Sequence, residues 1–464
     1  MKIAIIGAGW AGLAAAVQAT QDGHHTTVFE ASRSLGGRAR ALNSTLPDGT
    51  PVKLDNGQHI LIGAYQDTLA LMRQLGVDPE RALLRMPMTL RFPDGQGLCF
   101  PAGPAPLDAL AGLLGARGWR WHDRWSLLRH AAGWRLRGFR CDEHLSVSQL
   151  CQTLSPRVMQ TLIEPLCVSA LNTPTSRASA SVFLRVLQDA LFGVSGGSNL
   201  LLPRLDLSEL MPQAAARWLA TRGGQIRLGA RVQSVQPQGT QWQVDGEAFE
   251  AVVLATSASE ALHILANTSL TAPEPVAQQI NPWCQLTRGL QFEAITTVYV
   301  WAPGTHLPHP MLTLRSDSAA QQPAQFVFDR GQLGGPPGLL AFVVSASQGD
   351  KDQLQTQVLA QARQQLGLGP AGAAVNENKA GALLQLRQLR QLRQVGQVGQ
   401  AMQAMQVVQT VVEKRATFAC TPGLQRPATL IAPGLLACGD YIQGPYPATL
   451  EGAVRSGQQA ARLL

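Results

Sequence analysis

The segment from Lys2 to Glu30 constrains this chain more than any other stretch. A short apolar run typical of a buried parallel strand is followed by glycines in G-x-G-x-x-G spacing, an alanine-rich helical segment, and a second apolar strand. The three glycines are Gly7, Gly9 and Gly12. In a βαβ unit they serve a tight turn, the close approach of a pyrophosphate, and the packing of helix on strand. The segment therefore predicts an α/β, Rossmann-like fold with a dinucleotide held at the amino end of a helix.

The acidic residue at the end of the second strand narrows the choice of nucleotide. Glu30 is placed to accept hydrogen bonds from a ribose diol. Its negative charge would repel a 2′-phosphate. The first thirty residues thus indicate NAD or FAD as the cofactor.

The bulk properties of the chain set outer limits on its class. The 464 residues favour two domains, and the net charge of +8 is modest for this length. The seven cysteines have no C-x-x-C spacing, which favours buried thiols in a reducing compartment. We expect no metal site, because His306 and His309 have no cysteine or carboxylate nearby in sequence. No nucleic-acid-binding module is recognisable, so no nucleic-acid partner is expected.

Two further motifs point to the same cofactor region. Gly36, Gly37 and Arg38 follow the second strand, and Arg38 is expected to pair with a phosphate. Near the carboxyl terminus a short apolar strand, residues 435–438, runs directly into Gly439 and Asp440. A helix is then predicted to begin near Pro447, because proline is favoured in a first helical turn.

On these motifs the chain resembles the FAD-dependent amine oxidase and phytoene desaturase superfamily. Within it, three blocks are similar to the hydroxysqualene dehydroxylases of bacterial hopanoid pathways. These blocks are LDNGQHILIGAY, IEPLCVSALNTP and EKRATFACTPG. The resemblance implies FAD as the cofactor and a long apolar isoprenoid as the substrate.

The resemblance also assigns roles to residues of this chain. Asp440, after Gly439, would accept a hydrogen bond from the ribitol. Backbone N–H groups near Thr449 and Leu450 would face the pyrimidine edge of the flavin. Val232 would lie against the adenine. The remaining cofactor contacts would come from residues already introduced and from the first block: Gly7, Gly9, Gly12, Glu30, Gly37, Arg38 and Gly57.

The order of the motifs predicts two discontinuous domains. Residues 1–84, 204–260 and 425–464 would form the FAD-binding domain. Residues 85–203 and 261–424 would form an α+β domain that faces the substrate and the membrane. Within the latter, glutamine recurs at every third position over residues 385–409. A period of three does not define one buried helix face, so this segment is interpreted as an inserted surface helix or a disordered stretch.

Local patterns add secondary-structure expectations. Pro203 to Leu219 is predicted to be one helix, and Arg231 to Gln236 a short strand. Asp245 and Gly246 supply the chemistry of a hairpin turn. One sheet of the second domain is expected to contain three strands, at residues 294–301, 325–329 and 339–345.

Residues 117–140 contain four tryptophans among seven arginines. That composition is typical of an interfacial helix, with indole rings at headgroup level and guanidinium groups on anionic lipid. The alternative is a helix whose tryptophans pack within its own domain. The first interpretation, together with the lack of any apolar run of about 18 residues, predicts a cytoplasmic protein that is peripheral on the inner face of the membrane.

The expected reaction follows from the resemblance alone: reductive removal of the hydroxyl of hydroxysqualene to give squalene. A carotenoid-type desaturase, with hydride moving to FAD, is the main alternative. A flavin amine oxidase normally has an aromatic cage beside the flavin, and nine Trp, four Tyr and twelve Phe make that class less favoured. A non-catalytic, flavin-stabilised membrane scaffold is the remaining alternative. No catalytic residue can be assigned from the sequence.

Overall fold

A computed structural model of the chain describes residues 1–101, 107–317, 319–368 and 405–464. Strands and helices are numbered in chain order. The strands are β1 (Lys2–Ile6), β2 (His25–Glu30), β3 (Ala41–Thr45), β4 (Pro51–Asp55), β5 (Leu61–Ile62), β6 (Leu83–Met86), β7 (Thr89–Arg91), β8 (Gly97–Cys99), β9 (Leu200–Pro203), β10 (Gln225–Leu228), β11 (Val235–Gln238), β12 (Gln241–Val244), β13 (Glu247–Phe249), β14 (Ala251–Leu254), β15 (Phe292–Trp301), β16 (Met311–Thr313), β17 (Phe326–Asp329), β18 (Leu339–Ser345), β19 (Gln406–Phe418), β20 (Leu430–Ala432) and β21 (Leu435–Ala437). The helices are α1 (Trp10–Gln21), α2 (Gln66–Gln74), α3 (Pro79–Ala82), α4 (Leu107–Leu114), α5 (Trp121–Leu136), α6 (Val147–Leu150), α7 (Pro156–Val158), α8 (Glu164–Leu171), α9 (Ala180–Phe192), α10 (Leu207–Leu210), α11 (Pro212–Ala220), α12 (Ala258–Thr271), α13 (Glu274–Arg288), α14 (Lys351–Leu366) and α15 (Leu450–Arg462).

A six-stranded sheet joins strands from residues 2–30, 225–254 and 430–437. Its order is β10-β2-β1-β14-β21-β20, and every pair is parallel except the last. The strands β1, β14 and β21 are almost wholly apolar because helices or loops cover both of their faces. Because these strands run parallel, their carboxyl ends lie along one edge of the sheet, and open α/β sheets bind ligands at that edge. The α/β prediction is confirmed.

Two helices from opposite ends of the chain pack closely beside this sheet. α1 is rich in alanine, and α15 crosses it at Gly457. A Cβ atom on Gly457 would lie 2.1 Å from the carbonyl oxygen of Ala11, so only glycine allows this approach. The small residues of α1 thus bring the carboxyl-terminal helix against the glycine loop.

A second, antiparallel sheet has the order β16-β17-β18-β15-β19. Its strands β15, β17 and β18 confirm the three predicted from sequence. The long strand β19 pairs with β15 along most of its length. Of the glutamine repeat, residues 385–404 lie outside the described residues. The last part of the repeat was predicted wrongly, since Gln406 to Gln409 begin β19, where β-branched valines pair with β15.

Local hydrogen bonds account for two other wrong predictions. The helix expected over Pro203 to Leu219 is divided, because Asp206 caps a short first helix and Pro212 starts a second one. The strand expected from Arg231 begins only at Val235. The carboxylate of Asp245 accepts the backbone N–H groups of Gln233 and Ser234, at 3.0 and 2.8 Å, and so keeps them from a strand ladder.

Turn chemistry decides two further predictions. Asp245 and Gly246 have φ angles of 47° and 86°, so the predicted hairpin turn is confirmed. The carboxyl-terminal helix begins at Leu450 and not near Pro447. Tyr446 and Ala448 have φ angles of 57° and 58°, which a right-handed helix does not allow.

Candidate functional site

The three glycines of the loop between β1 and α1 have different surroundings. A Cβ atom on Gly7 would lie 2.6 Å from the carbonyl oxygen of Ala255, and one on Gly12 would lie 1.9 Å from that of Gly7. A Cβ atom on Gly9 would meet nothing within 4 Å. The first and third glycines are therefore required by the protein's own packing, whereas the second faces open space. That space fits a pyrophosphate approaching the helix N-terminus.

A second glycine loop lies directly against the first. The backbone N–H of Gly36 donates to the carbonyl of Ala8 at 2.9 Å, and a Cβ atom on Gly37 would lie 3.3 Å from the Cα of Gly9. Both positions have positive φ angles, 101° and 60°. The two loops thus form one surface of backbone groups without side chains.

Glu30 supports this surface. Its carboxylate accepts the backbone N–H of Ala8 and of Ser32, each at 2.8 Å. Beside it, Ala230 donates its N–H to the carbonyl of Glu30 at 2.9 Å, which places the buried Val232 near the same strand end. Glu30 therefore also holds the glycine loop in place, a role that sequence reasoning did not assign to it.

Arg38 and Asp440 form an ion pair that joins the two ends of the chain. Arg38 also donates to the carbonyl of Ala416 at 2.6 Å. The partner of Arg38 in this structure is thus a carboxylate, whereas the sequence predicts a phosphate. Two residues that were predicted to contact the cofactor hold each other at the strand edge.

The segment after β4 brings several polar side chains to the same region. Gly57 has a φ angle of 99°, and Asn56 donates to the carbonyl of Arg38 at 2.9 Å and to Glu413 at 3.2 Å. Burial, with a smaller contribution from the charge of Arg38, lowers the pKa of His59 to about 4. His59 is therefore neutral at pH 7.

Two buried polar atoms of this region are unsatisfied. Within the described residues, Gln58 Nε2 and Thr297 Oγ1 have no hydrogen-bond partner. A Cβ atom on Gly57 would lie 3.9 Å from both Thr297 Oγ1 and His59 Nε2. Because buried polar atoms in folded proteins almost always find a partner, these atoms fit a site completed by a polar ligand. Sequence reasoning missed Gln58, His59 and Thr297; two of them lie in a quoted block, but a single sequence cannot show which side chains point inward.

The loop before α15 completes the edge. The backbone N–H of Ala448 donates to the carbonyl of Asp440 at 3.2 Å, and Gly439 donates to Ser456 Oγ at 3.1 Å. Thr449 caps the helix through its hydroxyl, which accepts the N–H of Gly452 at 3.0 Å. The helix N-terminus at Leu450 is thereby held beside Asp440.

Glu451, in the first turn of α15, has a buried carboxylate to which the sequence analysis assigned no role. It accepts Thr68 N at 2.9 Å, Thr68 Oγ1 at 2.7 Å and Asp67 N at 3.1 Å. Burial raises the pKa of Glu451, although these hydrogen bonds oppose the shift. Its carboxylate caps the first turn of α2. It therefore joins α15 to α2 near the sheet edge at which the predicted cofactor residues lie.

Each of the twelve residues predicted to bind the cofactor takes part in one of the contacts described above or lies within two residues of one that does. They come from three distant parts of the sequence and meet where the parallel strands end. The Rossmann-type sheet and the glycine loop that is open at its second glycine place the protein in the class of dinucleotide-binding α/β proteins.

Comparison with known proteins identifies the family. The profile described as "Flavin containing amine oxidoreductase" matches residues 10–464, and the chain belongs to this family. The predictions that the protein is an FAD-dependent oxidoreductase and that FAD is its cofactor are confirmed.

Two relatives place the chain further within this family, and one solved structure shares its fold. It is 25% identical to a hydroxysqualene dehydroxylase of Rhodopseudomonas palustris, over 99% of this chain and 97% of the relative. It is 23% identical to a hydroxysqualene dehydroxylase of Zymomonas mobilis, over 99% and 98%. The crystal structure of an oxidoreductase from Methanosarcina mazei has the same fold, with a TM-score of 0.64, 16% identity and full coverage of both chains. The resemblance to hydroxysqualene dehydroxylases is thereby confirmed.

The arginine- and tryptophan-rich segment divides its four tryptophans between two environments. Trp119 and Trp134 are 6% and 5% exposed, and Trp119 Nε1 donates to Thr161 Oγ1 at 2.9 Å. Trp121 and Trp125 are 75% and 70% exposed on α5. Trp119 and Trp134 thus pack within their own domain, as the alternative interpretation expects, whereas contact of the exposed Trp121 and Trp125 with a membrane stays a prediction.

The exposed tryptophans belong to one continuous face of α5. At 100° per residue, Trp121, Trp125, Ala132 and Leu136 lie within a narrow sector, and Leu136 is 88% exposed. The guanidinium of Arg124 lies 5.3 Å from the ring centre of Trp121. In the described ranges, no helix combines the length and apolarity needed to cross a membrane.

Proposed function

We propose that this protein removes the hydroxyl of hydroxysqualene reductively and so produces squalene. The observation that carries the proposal is the match to hydroxysqualene dehydroxylases over nearly their whole length. Shorter matches to carotenoid desaturases, such as a phytoene desaturase of Synechococcus elongatus that is 32% identical over 118 residues, support a polyene as the broader substrate class.

In this proposal, residues 1–84, 204–260 and 425–464 hold FAD. Gly9 and its neighbours in the glycine loop receive the pyrophosphate, Glu30 the ribose, and the backbone near Val232 the adenine. Asp440 receives the ribitol, and Thr449 with Leu450 faces the pyrimidine edge. Residues 85–203 and 261–424 then bind the isoprenoid.

When bound in its reduced form, FAD would supply the hydride for the C–H bond that replaces the C–O bond, and the hydroxyl would leave as water with a proton taken from solvent. The chain contributes binding and orientation around that exchange. Gln58 Nε2 and Thr297 Oγ1, which are unsatisfied in the described residues, are the atoms we assign to hydrogen bonds with the bound flavin. Because His59 is neutral, it adds no second positive charge beside Arg38.

We expect the flavin-loaded protein to convert hydroxysqualene to squalene anaerobically in detergent, with FAD and NADPH present as reductant. Gas chromatography with mass detection measures the product, and protein that is stripped of flavin and assayed without added FAD is the control. Consumption of phytoene with reduction of bound FAD, and no squalene, would instead assign the carotenoid-type desaturase. If bound FAD neither reduces hydroxysqualene nor oxidises phytoene, the remaining interpretation is the non-catalytic membrane scaffold.

We further propose that the protein works at the inner face of the membrane. Burying thirty carbons is favourable by on the order of 20 kcal/mol at about 0.8 kcal/mol per carbon, so squalene-like lipids stay in the bilayer. An enzyme that uses them has to reach the lipid surface. The exposed apolar face of α5 is the part of the described structure best suited to that contact.

The double variant Trp121→Ala/Trp125→Ala is expected to lose at least about tenfold in affinity for anionic vesicles, because two large apolar side chains no longer enter the interface. Flotation with vesicles that contain phosphatidylglycerol measures the loss. Leu270→Ala, which removes an 84% exposed side chain from α12, is the matched control and should bind like the wild type. Equal binding by all three proteins would exclude this face.

A further inference from the structure

A surface cavity of about 530 Å³ opens beside the amino end of α5. Its charged and titratable lining residues are Arg120, His122, Asp123, Arg157 and Arg315. None of these residues is among those predicted to bind the cofactor. The volume is sufficient for a small organic ligand.

The lining carries an excess of positive charge. Its three arginines and one aspartate carry a net formal charge of +2 when His122 is neutral, and Asp94, which is not part of the lining, offsets the charge of Arg315. Arg315 is paired with Asp94 at 2.7 Å, and Arg157 donates to the carbonyl of Gly118 at 2.8 Å. None of the ion pairs among the described residues involves Arg120. At least one guanidinium in the cavity is therefore available to an anion.

The one carboxylate of the lining is already committed. Asp123 is buried, and its oxygens accept the backbone N–H of Arg120 at 2.8 Å and the hydroxyl of Ser155 at 2.7 Å. His122 Nε2 lies 2.9 Å from the same carboxylate. Asp123 thus holds the positions of Arg120 and His122 at the mouth of the cavity.

The location of the cavity indicates the kind of anion. Arg120 and His122 directly precede and follow Trp121, whose indole is exposed on the face proposed to meet the membrane. A guanidinium fork matches the geometry of phosphate oxygens. An interfacial tryptophan lies at the depth of lipid headgroups, so the cavity next to it would open among their phosphates.

We propose that this cavity binds the phosphate of an anionic phospholipid headgroup, with Arg120 as the principal contact. The inference rests on the proposed membrane contact through α5 and deepens it. It adds recognition of one chemical group to general attraction between arginines and a negative surface. Such a contact would fix the orientation in which the protein meets the bilayer.

The test compares two vesicle types of equal negative charge with the flavin-loaded full chain. One type contains phosphatidylglycerol, and the other contains a diacylglycerol succinate, whose headgroup is a carboxylate. Wild-type protein is expected to prefer the phosphate vesicles by about tenfold, the size of one good charge-assisted hydrogen bond. Arg120→Gln is expected to abolish that preference.

Arg137→Gln is the matched control, because it removes one exposed positive charge at the other end of α5. It should weaken both vesicle types alike and keep the preference. Flavin absorbance checks that both variants are folded. A preference that Arg137→Gln lowers as much as Arg120→Gln does, or no preference at all, would overturn the headgroup site.

Binding of free phosphate distinguishes a lipid headgroup from a soluble ligand. Inorganic phosphate and glycerol 1-phosphate are titrated without vesicles. Arg120-dependent binding of either one, with no preference among vesicles, would mean that the cavity takes a free phosphate and would overturn the lipid assignment. If the wild type binds no vesicle, both the membrane contact and this inference fail. The squalene assay in detergent reports on the reaction independently of either result.

Discussion

Gly9→Ala is expected to fold normally and to lose FAD, whereas Gly12→Ala is expected not to fold stably. A Cβ atom at Gly9 meets no protein atom within 4 Å, and Gly9 has a φ angle of −75°, which alanine adopts without strain. The added methyl group would enter the space assigned to the pyrophosphate. Losing one or two charge-assisted hydrogen bonds corresponds to about 3 kcal/mol, or about 100-fold in FAD affinity.

At Gly12 the same substitution meets protein. The Cβ atom would lie 1.9 Å from the carbonyl oxygen of Gly7, so α1 or the loop has to move. The cost is expected to be at least about 3 kcal/mol of unfolding free energy. The comparison uses flavin fluorescence titration for affinity and urea unfolding of the apoproteins for stability. A stable Gly9→Ala protein with wild-type FAD affinity would contradict the assignment of the pyrophosphate to this loop.

Glu451→Ala is expected to lower the free energy of unfolding by about 3 kcal/mol. The substitution leaves two backbone N–H groups at the start of α2 and one hydroxyl without their acceptor, in a place that water does not reach. Glu451 lies next to the α15 N-terminus, which we assign above to the pyrimidine edge of the flavin, so FAD affinity is expected to fall as well. Urea unfolding of the apoprotein, followed by circular dichroism, measures the stability.

Glu451→Gln is the matched control for this prediction. Its amide oxygen still accepts hydrogen bonds from the first turn of α2, so the loss should be about half of that for alanine. Glu80→Ala, at an exposed carboxylate, should leave the stability unchanged. Equal stability of Glu451→Ala and the wild type would show that α2 does not depend on this cap.

Motifs in which every contributing residue is close in sequence were predictable. The glycine spacing required by a strand–turn–helix unit indicated a dinucleotide, and the family resemblance carried by the two further motifs implied FAD. The hairpin turn at Asp245 and the three strands of the second sheet follow from local conformational preference in the same way. Local reasoning failed where a distant or unexpected partner changed the backbone, as at Gln406 to Gln409, which pair with β15.

The exposed face of α5 illustrates the same division. Composition indicated tryptophans beside arginines, but it did not distinguish Trp119, which is buried against Thr161, from Trp121, which is exposed. Which side of a helix faces inward depends on the elements packed against it. The Rossmann-type fold and a dinucleotide site were determined by the sequence alone, because a turn around a pyrophosphate needs glycine at fixed spacing whatever surrounds it. The choice of FAD came from the family resemblance. The pairing of Arg38 with Asp440, the capping of α2 by Glu451 and the cavity beside α5 were decided only by the tertiary structure, since each depends on side chains that the fold brings together from distant parts of the chain.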